Sequence, residues 1–190
     1  LPIVASQHDG ISNKVYLFSG RQVTPGQEAQ LLQDAHCYDP ATMTWKRLSD
    51  APRCLMAGTG IMIGAHHIMT VGGDDGENWG KQLDDAHPGF SRDMLFAYHT
   101  VTDTWINAGT LPQNHATTVV VKWDNALVVA SGEIRPGVRS PKVWRAVATD
   151  ARRQFAGPDY FVLGIYMLSL VGMGFYFSRR EKTTEDFFLG

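Results

Sequence analysis

Apolar residues fall in two patterns along the chain: one long uncharged run near the C-terminal end, and several short runs upstream that stop at small or turn-forming residues. The long run, Tyr160 to Ser178, is 19 residues without a charge. As a helix rising about 1.5 Å per residue it spans roughly 28 Å, close to the ~30 Å hydrocarbon core of a bilayer. Tyr160 and Phe161 at one end and Phe175, Tyr176 and Phe177 at the other give aromatic belts. Gly164, Gly172 and Gly174 would weaken a helix in water and are ordinary in lipid. The pattern predicts a membrane-spanning helix over 160–178; a buried helix of a soluble domain rarely stays uncharged on every face for so many turns.

The short runs repeat. Val15 to Phe18 precedes Ser19-Gly20, Ile68 to Val71 precedes Gly72-Gly73, and Leu127 to Ala130 precedes Ser131-Gly132. Each is expected to be a strand that ends at its small-residue pair. Two are followed by a second signature, Tyr38 with Trp45 and Tyr98 with Trp105, seven residues apart within each pair and offset by 60. Trp45 to Gly73 is 28 residues and Trp105 to Gly132 is 27, whereas the glycine-to-tyrosine gap varies between 18 and 25. A constant gap beside a variable one is the mark of a structural repeat with loop insertions on one face. Tyr-x6-Trp predicts a hairpin whose two rings pack between neighbouring sheets.

This apolar-Gly-Gly, Tyr, Trp pattern resembles the kelch repeat, one four-stranded blade of a β-propeller. The resemblance implies a mainly β fold. At roughly 50 residues per kelch unit, the residues before the membrane segment make about three blades. Propellers close with four to eight, so further blades are expected ahead of Leu1. The expected organisation is a partial propeller over 1–146, a linker over 147–159 containing Arg152 and Arg153, the membrane helix over 160–178, and a cytoplasmic segment over 179–190.

Composition narrows the function. The chain has 17 Lys and Arg against 19 Asp and Glu, a net charge of −2, which argues against binding driven by nucleic-acid phosphates. Its mean hydropathy of −0.17 pools a polar domain with an apolar span. Cys37 and Cys54 are too few for a disulfide framework; they either pair or remain as two buried thiols.

The stretch with the strongest chemical character is Ser131-Gly132-Glu133-Ile134-Arg135-Pro136-Gly137-Val138-Arg139-Ser140-Pro141, expected to be a loop around a rigid Pro-Gly turn. Glu133 at the strand end either braces the loop through Arg139 or Arg135, or faces the mouth of a central channel. Asn114 and His115, at the start of an expected inner strand, Arg53, in the comparable place one blade earlier, and Arg135, two residues beyond Glu133, are further candidates for substrate binding at the channel. His66 and His67 read as solvated turn residues, and no histidine spacing suggests a metal site. The segment Asp74 to Asp93 is either a lid or a solvated loop.

Gly-Glu-Ile-Arg-Pro-Gly-Val-Arg-Ser, together with His87-Pro88-Gly89-Phe90-Ser91-Arg92-Asp93 and Thr100 to Trp105, is similar to the N-acetylneuraminate epimerases, kelch-type sialic acid mutarotases, and to their cyclically permuted branch. The resemblance implies Glu133 as proton acceptor and Arg139 as its assistant, with an acidic sugar as substrate and no cofactor. The residue types suit anomer interconversion: a carboxylate can take the anomeric proton, and a guanidinium can pair with a substrate carboxylate.

A second family is indicated by Phe177-Ser178-Arg179-Arg180-Glu181-Lys182-Thr183-Thr184-Glu185-Asp186-Phe187-Phe188-Leu189-Gly190, which resembles the region after the first membrane helix of sodium:solute symporters. That resemblance implies Na⁺ coupling in a transporter portion not contained in this sequence. It also implies a cell-membrane location with the propeller outside and the C-terminus in the cytoplasm. Basic residues lie on both sides of the span, at Lys142, Arg145, Arg152 and Arg153 and at Arg179, Arg180 and Lys182, but only the latter set abuts it. The combined reading is a fragment of a mutarotase–symporter fusion; the alternative is a non-catalytic kelch module that captures substrate or protein for the transporter.

Overall fold

Both Tyr-x6-Trp segments form hairpins in the computed structural model, which describes residues 2–8, 13–81, 87–147 and 156–180. The chain divides into two units, Leu1–Ala148 and Thr149–Gly190.

Among the described residues, the first unit holds three antiparallel sheets. The first holds β1 (Ile3–His8), β2 (Asn13–Gln22), β3 (Gln30–Asp39) and β4 (Thr44–Leu48) in that order, and the second repeats the order with β5 (Thr59–Ile63), β6 (His67–Val71), β7 (Leu95–His99) and β8 (Thr104–Gly109). The third comprises β9 (Val119–Trp123), β10 (Ala126–Arg135) and β11 (Val138–Val147), three strands among the described residues. The first strand of each sheet lies beside the first strand of the next, β1 against β5 and β5 against β9.

Alternation builds the core between the first two sheets. On β2, Tyr16 and Phe18 point to one face while Val15 and Leu17 take the other, because successive strand residues face opposite sides. Tyr16, Phe18, Ala35 and Leu48 pack against Ile68, Phe96 and Tyr98 of the second sheet. Tyr98 lies directly across from Trp105, as Tyr38 does from Trp45. The turn of each hairpin passes through one left-handed residue, Met43 at φ 55° and Asp103 at φ 54°. A smaller cluster of Val71, Val120 and Val129, with Leu127 and Trp144 against it, joins the second sheet to the third.

Two of the three small-residue pairs do not end their strands. Gly72 and Gly73 follow the end of β6 as expected, but Ser19-Gly20 and Ser131-Gly132 are bulges inside β2 and β10. In each bulge the serine is left-handed (φ 58° and 57°) and the glycine sits at φ 130° and 134°. That conformation absorbs an extra residue while pairing resumes beyond it. Consequently Ser131 to Pro141 is not a loop. It belongs to a hairpin whose turn is Pro136-Gly137 alone, and Glu133 pairs across it with Arg139. The third inner strand begins at Val119, four residues beyond His115. His67 is the first residue of β6 rather than part of the turn, and its ring lies 4.7 Å from that of His99. Cys37 and Cys54 are separate buried thiols, and burial raises the pKa of both.

The second unit contains α1, Gly157–Arg180, a helix of 24 residues. It starts three residues before the expected span and runs two beyond it. Pro158 suits a first helical turn, where its missing N–H costs nothing. Asp159 places its charge at the positive end of the helix dipole and accepts a 2.8 Å hydrogen bond from Ala156 N. Gly157–Arg179 is long and apolar enough to cross a membrane, and none of its apolar window is buried. Residues 148–155 of the expected linker, with Arg152 and Arg153, and the whole of Glu181–Gly190 lie outside the described residues.

Candidate functional site

Glu133 is fixed from both sides. Its backbone pairs with Arg139 on β11, and on the opposite edge it forms a bridge with Ala116 through two 2.8 Å hydrogen bonds. A carboxylate on such a doubly held backbone has little freedom beyond its own side-chain rotamers. Glu133 Oε1 lies 3.5 Å from Arg139 Nη2, with Glu133 24% and Arg139 58% exposed. Arg139 Nη2 also donates to Thr117 Oγ1 at 3.3 Å. The bracing ion pair and the cavity-facing carboxylate are therefore compatible, because Glu133 lines a cavity of about 300 Å³ with Arg21, Asp74, Trp79, Phe90 and Thr117.

Three of these residues share a structural position. Arg21 follows Ser19-Gly20, Asp74 follows Gly72-Gly73, and Glu133 follows Ser131-Gly132. Asp74 is bridged to Met56 by backbone hydrogen bonds of 2.7 and 3.0 Å, the counterpart of the Glu133–Ala116 bridge. The next residues, Ala57 and Thr117, are both left-handed, at φ 52° and 48°. Successive sheets thus deliver one charged side chain each to the same cavity. Asp74 and Arg21 were not among the candidates drawn from sequence. The signal was present in the residue following each small-residue pair, but it needed the bridges to show that these positions are equivalent.

The cavity has a distinct electrostatic character. Burial raises the Asp74 pKa, and the neighbouring Asp75 pushes the same way; the Gly76 N–H, His87 and Arg21 pull against it without cancelling the effect. Gly76 N donates to Asp74 Oδ1 at 2.8 Å. The Arg21 guanidinium carbon sits 3.2 Å from the centre of the Trp79 ring, a cation–π contact that fixes both side chains at the cavity wall.

The remaining candidates lie elsewhere. Arg135 and Asn114 line an adjoining cavity of about 370 Å³ with His87, Lys142 and Trp144; Phe90 walls both cavities. Asn114 is 2% exposed, and its amide is engaged: Nδ2 donates to Gly73 O at 2.7 Å and to Ser91 O at 2.5 Å, while Oδ1 accepts from Gly73 N at 3.1 Å. His115 is 1% exposed and lines neither cavity; burial lowers its pKa against a weaker opposing pull from the Ser131 backbone. Arg53 also lines neither. Its Nη1 pairs with Asp75 Oδ2 at 3.0 Å and donates to Ser91 Oγ at 3.4 Å. The segment from Asp74 to Asp93 contributes Trp79 to one cavity, His87 to the other and Phe90 to both, while 82–86 lie outside the described residues.

No family model matches the chain. Among characterised proteins it is similar to the N-acetylneuraminate epimerase of Haemophilus influenzae (strain 86-028NP), 32% identical over 161 residues, covering 72% of this chain and 42% of the relative. The enzyme of that name from Pasteurella multocida (strain Pm70) is 29% identical over 156 residues, covering 70% and 41%. The one from Yersinia pestis is 27% identical over 164 residues, covering 72% and 42%. The chain thus spans about two fifths of the length of these curated relatives. The solved structure of YjhT, a kelch β-propeller, superposes with a TM-score of 0.57 at 19% identity, over 82% of this chain and 54% of that one. The β unit has the fold of a partial kelch propeller, and its relatives support a kelch domain of the mutarotase type.

Proposed function

We propose that the β unit forms the catalytic part of a mutarotase that interconverts the anomers of sialic acid or a similar acidic sugar. The observation that carries this reading is Glu133, a doubly held carboxylate lining a cavity with a guanidinium 3.5 Å away. The relatives' shared name supports the substrate class. Glu133 takes the proton of the anomeric hydroxyl and returns it when the ring recloses; Arg139 pairs with the substrate carboxylate and, between turnovers, with Glu133.

In this proposal, α1 spans a cell membrane, with the propeller outside and the basic Arg179 and Arg180 at the cytoplasmic face. The likeness of Phe177 to Gly190 to sodium:solute symporters supports a further step, in which the mutarotase is tethered to a Na⁺-coupled transporter for the same sugar. Anomer exchange beside the transporter would supply whichever form it accepts.

The test is NMR-monitored anomerisation of N-acetylneuraminate by the full-length protein and its Glu133→Gln variant. Catalysis by the parent and a fall of about 10²- to 10⁴-fold in the variant are expected, the usual contribution of a positioned base. An unchanged rate in the variant would remove Glu133 from the mechanism. A parent that accelerates nothing but binds the sugar would instead be a capture module.

A further inference from the structure

Ring opening needs two proton transfers, and Glu133 accounts for one. The ring oxygen must gain a proton as the anomeric hydroxyl loses one, and a guanidinium holds its protons too tightly to donate one in that step. Asp74 lines the same cavity as Glu133, one sheet away at the equivalent position after the small-residue pair, with its own two-bond backbone bridge. Two carboxylates held on neighbouring sheets and facing one small cavity are the arrangement in which one serves as base and the other as acid.

We propose that Asp74 is a second catalytic residue of this cavity, the acid that protonates the ring oxygen while Glu133 accepts the anomeric proton. This rests on the mutarotase reading. Glu133 carboxylate removes the hydroxyl proton, and the O–H electron pair forms the carbonyl. The bond from the anomeric carbon to the ring oxygen breaks, and its pair stays on the oxygen, which takes the proton of Asp74. Rotation in the open-chain sugar presents the other carbonyl face. On closure the attacking hydroxyl returns its proton to Asp74, and the new anomeric oxygen takes the proton from Glu133. Nothing is oxidised, and both residues end as they began.

The surroundings favour this division of roles. Burial raises the pKa of the Asp74 carboxyl from its ordinary value, which favours the protonated form. The charged or titratable groups around it are Arg21 from β2, Cys54 ahead of β5, Asp75 and His87 from its own loop, and Glu133 across the cavity. Asn at position 74 would still offer an acceptor to Gly76 N and would leave the Met56 bridge intact, so the acid can be removed without removing the turn.

The experiment measures anomerisation by the full-length protein against Asp74→Asn, Asp74→Glu and Glu133→Gln across pH. In the wild type, catalysis is expected to fall as pH rises through the raised Asp74 value and the carboxyl loses its proton. Asp74→Asn should lower kcat about 10²- to 10⁴-fold, abolish that descending limb and leave the folded fraction unchanged, while Asp74→Glu recovers part of the rate and the limb. If the wild type and Glu133→Gln behave as proposed but Asp74→Asn keeps the wild-type rate and pH profile, Asp74 is not the acid. An Asp74→Asn enzyme that is slower yet keeps the descending limb also overturns the assignment. A wild type without activity refutes the mutarotase reading itself.

Discussion

Trp105 packs edge-on against Phe18 of the neighbouring sheet, with ring centroids 4.9 Å apart at 73°. Its Nε1 donates to Ser49 O at 3.0 Å, in the segment joining the two sheets. Trp45, at the equivalent place one sheet earlier, is 58% exposed and meets only rings of its own hairpin among the described residues, Tyr38 at 5.0 Å and His36 edge-on at 6.5 Å. Truncating Trp105 to Ala should therefore cost about 3 kcal/mol, the low end for a packed aromatic. Trp45→Ala in the same chain should cost under about 1 kcal/mol. Equal shifts in denaturant midpoint for the two variants would contradict this account of sheet packing.

Asp103 adds a pH-dependent latch at the same junction. Its Oδ1 accepts from Ser49 N at 2.9 Å and from the Tyr98 hydroxyl at 2.8 Å. Burial pushes its pKa up, but the Ser49 N–H, the Tyr98 hydroxyl and Lys46 outweigh that and hold it below the ordinary value. A depressed carboxylate contributes stability that is present above about pH 4 and is lost as pH falls through its lowered folded value. Asp103→Asn should flatten the acid limb of unfolding free energy against pH. Asn tolerates the left-handed φ of 54°, so the backbone is not strained by the change. Parallel acid limbs for the two proteins would rule the latch out.

The repeat was legible because Tyr98, Trp105 and the glycine pairs recur at fixed offsets, and one kelch unit cannot bury its faces alone. The bulges at Ser19-Gly20 and Ser131-Gly132 were not, since a small-residue pair looks alike whether it ends a strand or kinks one. That ambiguity hid the hairpin carrying Glu133 and Arg139. Asn114 and His115 show another limit. A polar residue near an inner strand can face a channel or satisfy buried backbone, and the Gly73 and Ser91 groups that engage Asn114 are 41 and 23 residues away in sequence.

Gly132 has no tolerance for a side chain. Its φ of 134° lies where L residues rarely go, and a Cβ there would meet His115 Cβ at 2.7 Å, Ala116 O at 2.9 Å and Thr118 Cβ at 3.0 Å. Gly132→Ala should destabilise the fold by about 1–3 kcal/mol from backbone strain alone. It should also disturb the Ala116–Glu133 bridge next to it. Hydrogen exchange at Ala116 and Glu133 should rise more than at Val71 in β6; uniform protection loss would indicate global destabilisation only.

Arg139 separates substrate binding from fold. It is 58% exposed, and its contacts are the Glu133 carboxylate at 3.5 Å and Thr117 Oγ1 at 3.3 Å, so Arg139→Ala should leave the unfolding midpoint within about 0.5 kcal/mol of wild type. If its guanidinium pairs with the substrate carboxylate, its loss removes a charge-assisted contact of about 1.5–3 kcal/mol. KM for an acidic sugar should then rise roughly 10- to 100-fold, with a smaller change in kcat. A sugar of the same ring with its carboxylate amidated should lose this sensitivity and react alike with both enzymes. Were the amidated sugar as sensitive to Arg139→Ala as the acid, Arg139 would act through Glu133 and not through the substrate's charge.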